Sequence, residues 1–175
     1  MRLERPIDMR TKNWVLFLTI FLIGVVQATA LEYISISGAK PDLLLISVVF
    51  IALFLTREDA IKAAIFAGLF KDITSTALLG SNAAGLFLCV LFLARFGNHF
   101  YKQKPYAQIL LCAAVYFITS FIVLLINAIK NPHIDLALYI WLIFKAAVYT
   151  GCVSPLVFFI LSRIFGNDLY SEKYI

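Results

Sequence analysis

Few side chains in this sequence are equipped for chemistry, and their spacing narrows the options at once. The two histidines, His99 and His133, sit in different polar stretches and have no partner at metal-ligand spacing. Cys89, Cys112 and Cys152 each lie inside an apolar run without any C-x-x-C pair, and read as small buried hydrophobes. There is no H-E-x-x-H, no nucleophile with an evident base, and no acidic cluster suited to metal-assisted phosphoryl transfer. The expectation is no catalytic residue, no metal and no cofactor. The residues that stand out are charges embedded in apolar sequence: Asp42, Asp72 and Lys145.

Each of these has two readings. Asp42 follows Pro41 at the head of KPDLLLISVVF. Proline in a first helical turn loses nothing, because that N–H would be unpaired anyway. An aspartate beside it complements the helix dipole by about 0.3–1 kcal/mol. Capping is one reading of Pro41-Asp42, and a contact point on the external face is the other. Asp72, counted from Glu58, lies about 20 Å up a hydrocarbon core some 30 Å thick. An ionisable group at that depth is a functional candidate by default. The alternative is a helix-end aspartate neutralised by Lys71 or tied down by the hydroxyls of Thr74, Ser75 and Thr76. Lys145 either pairs with Asp72 near the midplane or snorkels outward past Tyr139 and Trp141. Both are preferred to a proton or ion relay.

Two uncharged patterns accompany them. Thr56 and Asp59 have capping-box spacing. Ala60, Ala64 and Gly68 recur at i, i+4 and i+8, flanked by Ala63 and Ala67, a stripe that lets another backbone approach closely in lipid. It serves either packing within the chain or a partner's helix. On the second reading, Gly68→Leu would weaken partner association and Asp72→Ala would act separately.

The elements that must position these residues follow from composition. The chain has 175 residues, 62% hydrophobic and 14% charged, with a mean hydropathy of +0.93. A soluble domain carries roughly 25% charged residues, so this chain lacks the material for a water-facing exterior. A soluble enzyme, a disordered tail and a nucleic-acid-binding module are excluded. Apolar runs fall at about 14–31, 42–55, 59–74, 82–94, 106–129 and 135–165, separated by polar punctuation. The first, fifth and sixth reach the roughly 20 residues a spanning helix needs; the others must borrow polar ends or thin the bilayer. The N-terminal run, with Arg2, Arg5, Arg10 and Lys12 ahead of it and Ala28-Thr29-Ala30 at its end, resembles a signal peptide. It is taken instead as a retained first span.

Charge asymmetry sets the number of crossings. Six crossings place eleven basic residues, Arg57, Lys62, Arg95 and Lys104 among them, on the side of the N-terminus, against Lys40, Lys71 and Lys130 opposite. Removing one crossing, or burying Arg57, Glu58 and Asp59 at the tip of a re-entrant hairpin, breaks the positive-inside pattern or strands charge in lipid. Aromatic residues near the run ends, such as Trp14, Tyr106 and Trp141, fit interfacial belts. No inverted repeat is evident. The expected architecture is an all-α integral membrane protein: one membrane domain over 1–175, six transmembrane helices in one bundle, both termini cytoplasmic.

The order of features resembles the MreD family of bacterial rod-shape determination. A basic N-terminus and one span precede KPDLLLISVVFIAL, and after a short charged turn comes AIFAGLFKDITSTALLGSNAAGLFL. Members of the family typically show Pro-Asp followed by leucines, then a glycine, an aspartate a few residues on, and a Leu-Gly turn. Here those positions are Pro41, Asp42, Gly68, Asp72, Leu79 and Gly80. The resemblance implies a non-enzymatic subunit of the elongation complex that makes lateral peptidoglycan, in the bacterial cytoplasmic membrane. It implies as partners the single-span protein MreC, the glycosyltransferase–transpeptidase pair and the MreB filament. It also implies a six-helix bundle similar to the substrate-binding subunits of energy-coupling-factor transporters. That likeness carries a rival function, a vitamin-like small-molecule-binding subunit, against which the external loops offer few polar side chains. A membrane-embedded enzyme acting on lipid-linked substrates has no residue in its favour.

Overall fold

All six apolar runs fold as α-helices in the computed structural model, which describes residues 9–29, 35, 38–75, 78–96, 104–130 and 136–165. The helices are α1 (Met9–Thr29), α2 (Leu43–Phe54), α3 (Arg57–Thr74), α4 (Ser81–Phe96), α5 (Pro105–Lys130) and α6 (Leu136–Phe165), with no strand among the described residues. Helical structure begins ahead of the apolar run in α1, because arginine and lysine are good helix formers. Arg2, Arg5, Thr76, His99, His133 and Asp135 lie outside the described residues.

The apolar pattern decides which helix is central. α2 reads LLLISVVFIALF, with no charged residue on any side, and every residue from Leu44 to Leu53 is buried. A helix apolar all round belongs inside a bundle. The other five helices all pack on it, with α5–α6 and α3–α4 forming the most extensive pairs. Phe50 anchors the lower part of α2 edge-to-face on Phe158 of α6 at 5.3 Å. α1 docks on α3 through Phe17–Phe66 and Phe21–Phe70, with Gly24 beneath the Phe70 ring. The outer helices turn large apolar side chains outward, including Leu18 and Leu22 on α1, Phe117 and Phe121 on α5, and Phe144 and Leu156 on α6. A surface this apolar exceeds what a water-soluble monomer presents.

α2 is only 12 residues long, about 18 Å. The chain reaches its start in extended form. Gly38, at φ +81, lies beside Leu142 of α6, and the Asp42 N–H donates to Thr150 Oγ1 at 3.1 Å. Eight residues of α6, about 12 Å, are thus matched by four extended residues at about 3.3 Å each.

Pro41 is not in the first helical turn as expected: Asp42 is the N-cap residue and Pro41 precedes it. Pro155 lies inside α6 without ending it. Proline removes the donor that would serve the carbonyl four residues earlier, which is that of Gly151. The Ser154 hydroxyl donates to Gly151 O at 2.7 Å and fills the gap, a repair open to serine in membrane helices. The three cysteines are not all buried as expected. Cys89 and Cys112 are buried, whereas Cys152 is exposed, on the outward side of α6 with Val148 and Leu156.

Candidate functional site: two buried carboxylates

Gly68 and Asp72 are one turn apart on α3, so they share a face, and both address the first turn of α4. A Cβ on Gly68 would stand 2.3 Å from Ala83 Cα and 2.8 Å from Ala83 N. Only glycine lets the two backbones meet there. The closeness brings the Asp72 carboxylate onto the amide groups that open α4. Asp72 Oδ2 accepts from Gly80 N at 2.9 Å and Ala83 N at 3.3 Å. Oδ1 accepts from Asn82 N at 3.0 Å and Asn82 Nδ2 at 2.9 Å. The first amides of a helix have no intrahelical partner, and a carboxylate there also complements the dipole. Asp72 therefore caps α4 from a neighbouring helix. The turn between them passes through Gly80 at φ +93, a conformation glycine adopts without penalty.

The second carboxylate sits on the central helix. Asp42 is 3% exposed. Its Oδ1 accepts from Leu45 N at 3.0 Å, capping α2, and from Gln27 Nε2 at 3.3 Å. Gln27 Oε1 accepts from Leu44 N at 2.9 Å, satisfying a second orphan amide of α2 from α1. Thr150 receives the Asp42 N–H. Asp42 Oδ2 forms an ion pair with Lys71 Nζ, whose ammonium also lies 5.9 Å from the centroid of the Tyr116 ring on α5. One buried helix start is thereby tied to α1, α3 and α6, with α5 against the counter-ion.

These placements revise several expectations. Lys71 neutralises Asp42, not Asp72. The Thr74 hydroxyl bonds Phe70 O and Lys71 O of its own helix rather than Asp72. Lys145 does not pair with Asp72; its ammonium lies 5.9 Å from the Trp141 ring centroid on α6. Ala60, Ala63, Ala64, Ala67 and Gly68 are all buried within the chain, so the small-residue stripe packs α3 against this chain's own helices. The reading of the stripe as a partner's docking face fails for that reason. Thr56 caps α3: its Oγ1 accepts from Asp59 N at 3.3 Å and donates to Asp59 Oδ2 at 2.8 Å.

Gln27, Tyr116, Thr150 and Asn82 were not singled out in the sequence. Gln27 carried a usable signal, as an amide within the first apolar run; a polar group in lipid must find a partner. The chemistry these groups offer is mutual satisfaction. Among the described residues no group of three or more His, Cys, Asp or Glu side chains could hold a metal ion.

Fold and site together define an all-helical protein whose interior polar groups join helices to one another. Among the described residues, two helices, within Pro105–Ile126 and Ala137–Phe165, are long and apolar enough to cross a bilayer, and shorter apolar helices accompany them. Residues 9–164 match the family model described as rod shape-determining protein MreD, and the chain belongs to that family. No curated protein and no solved structure matches it.

Proposed function

We propose that this protein is a non-enzymatic, multi-pass subunit of the bacterial cell-elongation complex, residing in the cytoplasmic membrane as a single membrane domain. It crosses six times with both termini cytoplasmic, and with MreC it organises lateral peptidoglycan synthesis. The glycosyltransferase–transpeptidase pair and the MreB filament are its further partners, direct or through MreC. The observation that carries the reading is the family match over nearly the whole chain.

Two features support the topology. α2, about 18 Å long, continues the extended segment from Gly38, about 13 Å, and together they match a core of about 30 Å. Exposed Arg57, Lys62, Arg95, Lys104 and Arg163 belong to the ends of helices that antiparallel packing gathers on one side, as the positive-inside pattern requires. The engagement of both buried carboxylates by helix-start amides favours a scaffold, because both are spent on joining helices to one another. Pro41 and Asp42 are buried at the start of α2, which leaves Lys145 as the candidate for shaping the external surface a partner meets.

Depletion of the protein in its rod-shaped host is the test. Cells should round up, with lateral wall insertion lost. Unchanged rods after clean depletion would refute the proposal.

A further inference from the structure

We propose that the end of the bundle formed by the starts of α3 and α5 and the finishes of α4 and α6 binds anionic phospholipid headgroups. The inference rests on the membrane-spanning reading above. Arg57 and Lys62 on α3, Arg95 on α4, Lys104 ahead of α5 and Arg163 on α6 are exposed there. Glu58 and Asp59 are the acids of that end among the described residues, and Asp59 is buried in the cap with Thr56. At the opposite end, Lys71 is paired with Asp42 and Lys40 is exposed. The charge contrast is therefore between two ends of one small bundle.

Two of the cations are held where a lipid would find them. The Arg163 guanidinium lies 5.3 Å from the centroid of Phe159, which is 59% exposed on the outer face of α6. Lys104 Nζ lies 5.7 Å from the centroid of Tyr106, itself 61% exposed at the start of α5. A cation over an aromatic face is kept at the outer wall of the bundle rather than extended into water. An acyl chain lying along that wall brings its phosphate to the same level, and guanidinium suits phosphate in a bidentate geometry. Neutral zwitterionic lipid offers the same chains and phosphate but adds an ammonium that the cluster repels. The occupant this chemistry selects is a phospholipid of net negative charge, such as phosphatidylglycerol.

The full chain, reconstituted in nanodiscs of phosphatidylcholine containing a minority of phosphatidylglycerol, tests this by native mass spectrometry of retained lipid. Phosphatidylglycerol should be enriched over its bulk fraction. The combined Arg95→Gln, Lys104→Gln and Arg163→Gln variant should lower that enrichment by about fivefold or more, while Lys40→Gln leaves it unchanged. Retention of the two lipids in their bulk proportion, or equal enrichment in the triple variant, would overturn the inference and leave the membrane-spanning reading intact. Failure to retain lipid of either class would instead sink both.

Discussion

Removing the Asp72 carboxylate should uncouple α4 from α3, and the structure sets the size of the effect. Asp72 accepts four hydrogen bonds, two of them from Asn82, which is buried. Gly80 is half-buried and sits at the edge of the turn, where water or headgroups can replace the lost bond. Each buried donor left unpaired costs about 1–3 kcal/mol, and the Asn82 amide side chain can rotate to recover part of that. Asp72→Ala is therefore expected to cost about 3 kcal/mol. Gly68→Ala adds a Cβ that would meet Ala83 Cα at 2.3 Å, forcing the helices apart at about 1–3 kcal/mol. The two effects are not independent, because the carboxylate reaches the amides only while the backbones are close. The double variant should be less destabilised than the sum by about 1 kcal/mol, within the usual range for contacting sites. Reversible unfolding in mixed micelles measures all four members of the cycle, and amide exchange at 80–84 reports the cap itself. Additivity, or Asp72→Ala costing under about 0.5 kcal/mol with unchanged exchange, would refute the docking argument.

Three further outcomes follow from the same geometry. Lys71→Met strands the buried Asp42 charge and should cost about 3–5 kcal/mol, whereas Lys71→Met with Asp42→Asn should recover much of it, as read by the same unfolding titration. Ser154→Ala leaves the Gly151 carbonyl without the donor that Pro155 cannot supply, at about 1–3 kcal/mol; Ser154→Ala combined with Pro155→Ala, which restores a backbone donor, should be milder. Ser81 Oγ is buried without a hydrogen-bond partner, so Ser81→Ala should be neutral or stabilising by about 1 kcal/mol, measured by thermal unfolding in detergent.

Much of this architecture was legible in the sequence because it rests on composition and local rules. Runs of apolar residues bounded by Thr-Arg-Glu-Asp or Lys-Pro-Asp mark helix limits to within a few residues, and the Thr56 cap follows from its spacing to Asp59, whereas Asp42, read into the first turn, is the N-cap itself. What could not be read is pairing at a distance. Lys71 is adjacent to Asp72 in the chain yet reaches Asp42, 29 residues away, because successive residues on a helix point in different directions. Asp72 bonds residues eight to eleven positions ahead, across a turn whose path depends on Gly80. The small-residue stripe illustrates the same limit. Its spacing announces a close helix contact, but only the fold shows the neighbour to be α4 of the same chain.

The central claim, a scaffold that holds other membrane proteins, is tested most directly by purifying the intact protein from its host membrane and identifying what comes with it. The account expects a single-span MreC-like protein in fixed stoichiometry with the folded protein, and no small molecule other than phospholipid released on denaturation. Recovery of a tightly bound small molecule other than phospholipid by mass spectrometry, with no membrane protein partner, would contradict it and point to a substrate-binding transporter subunit.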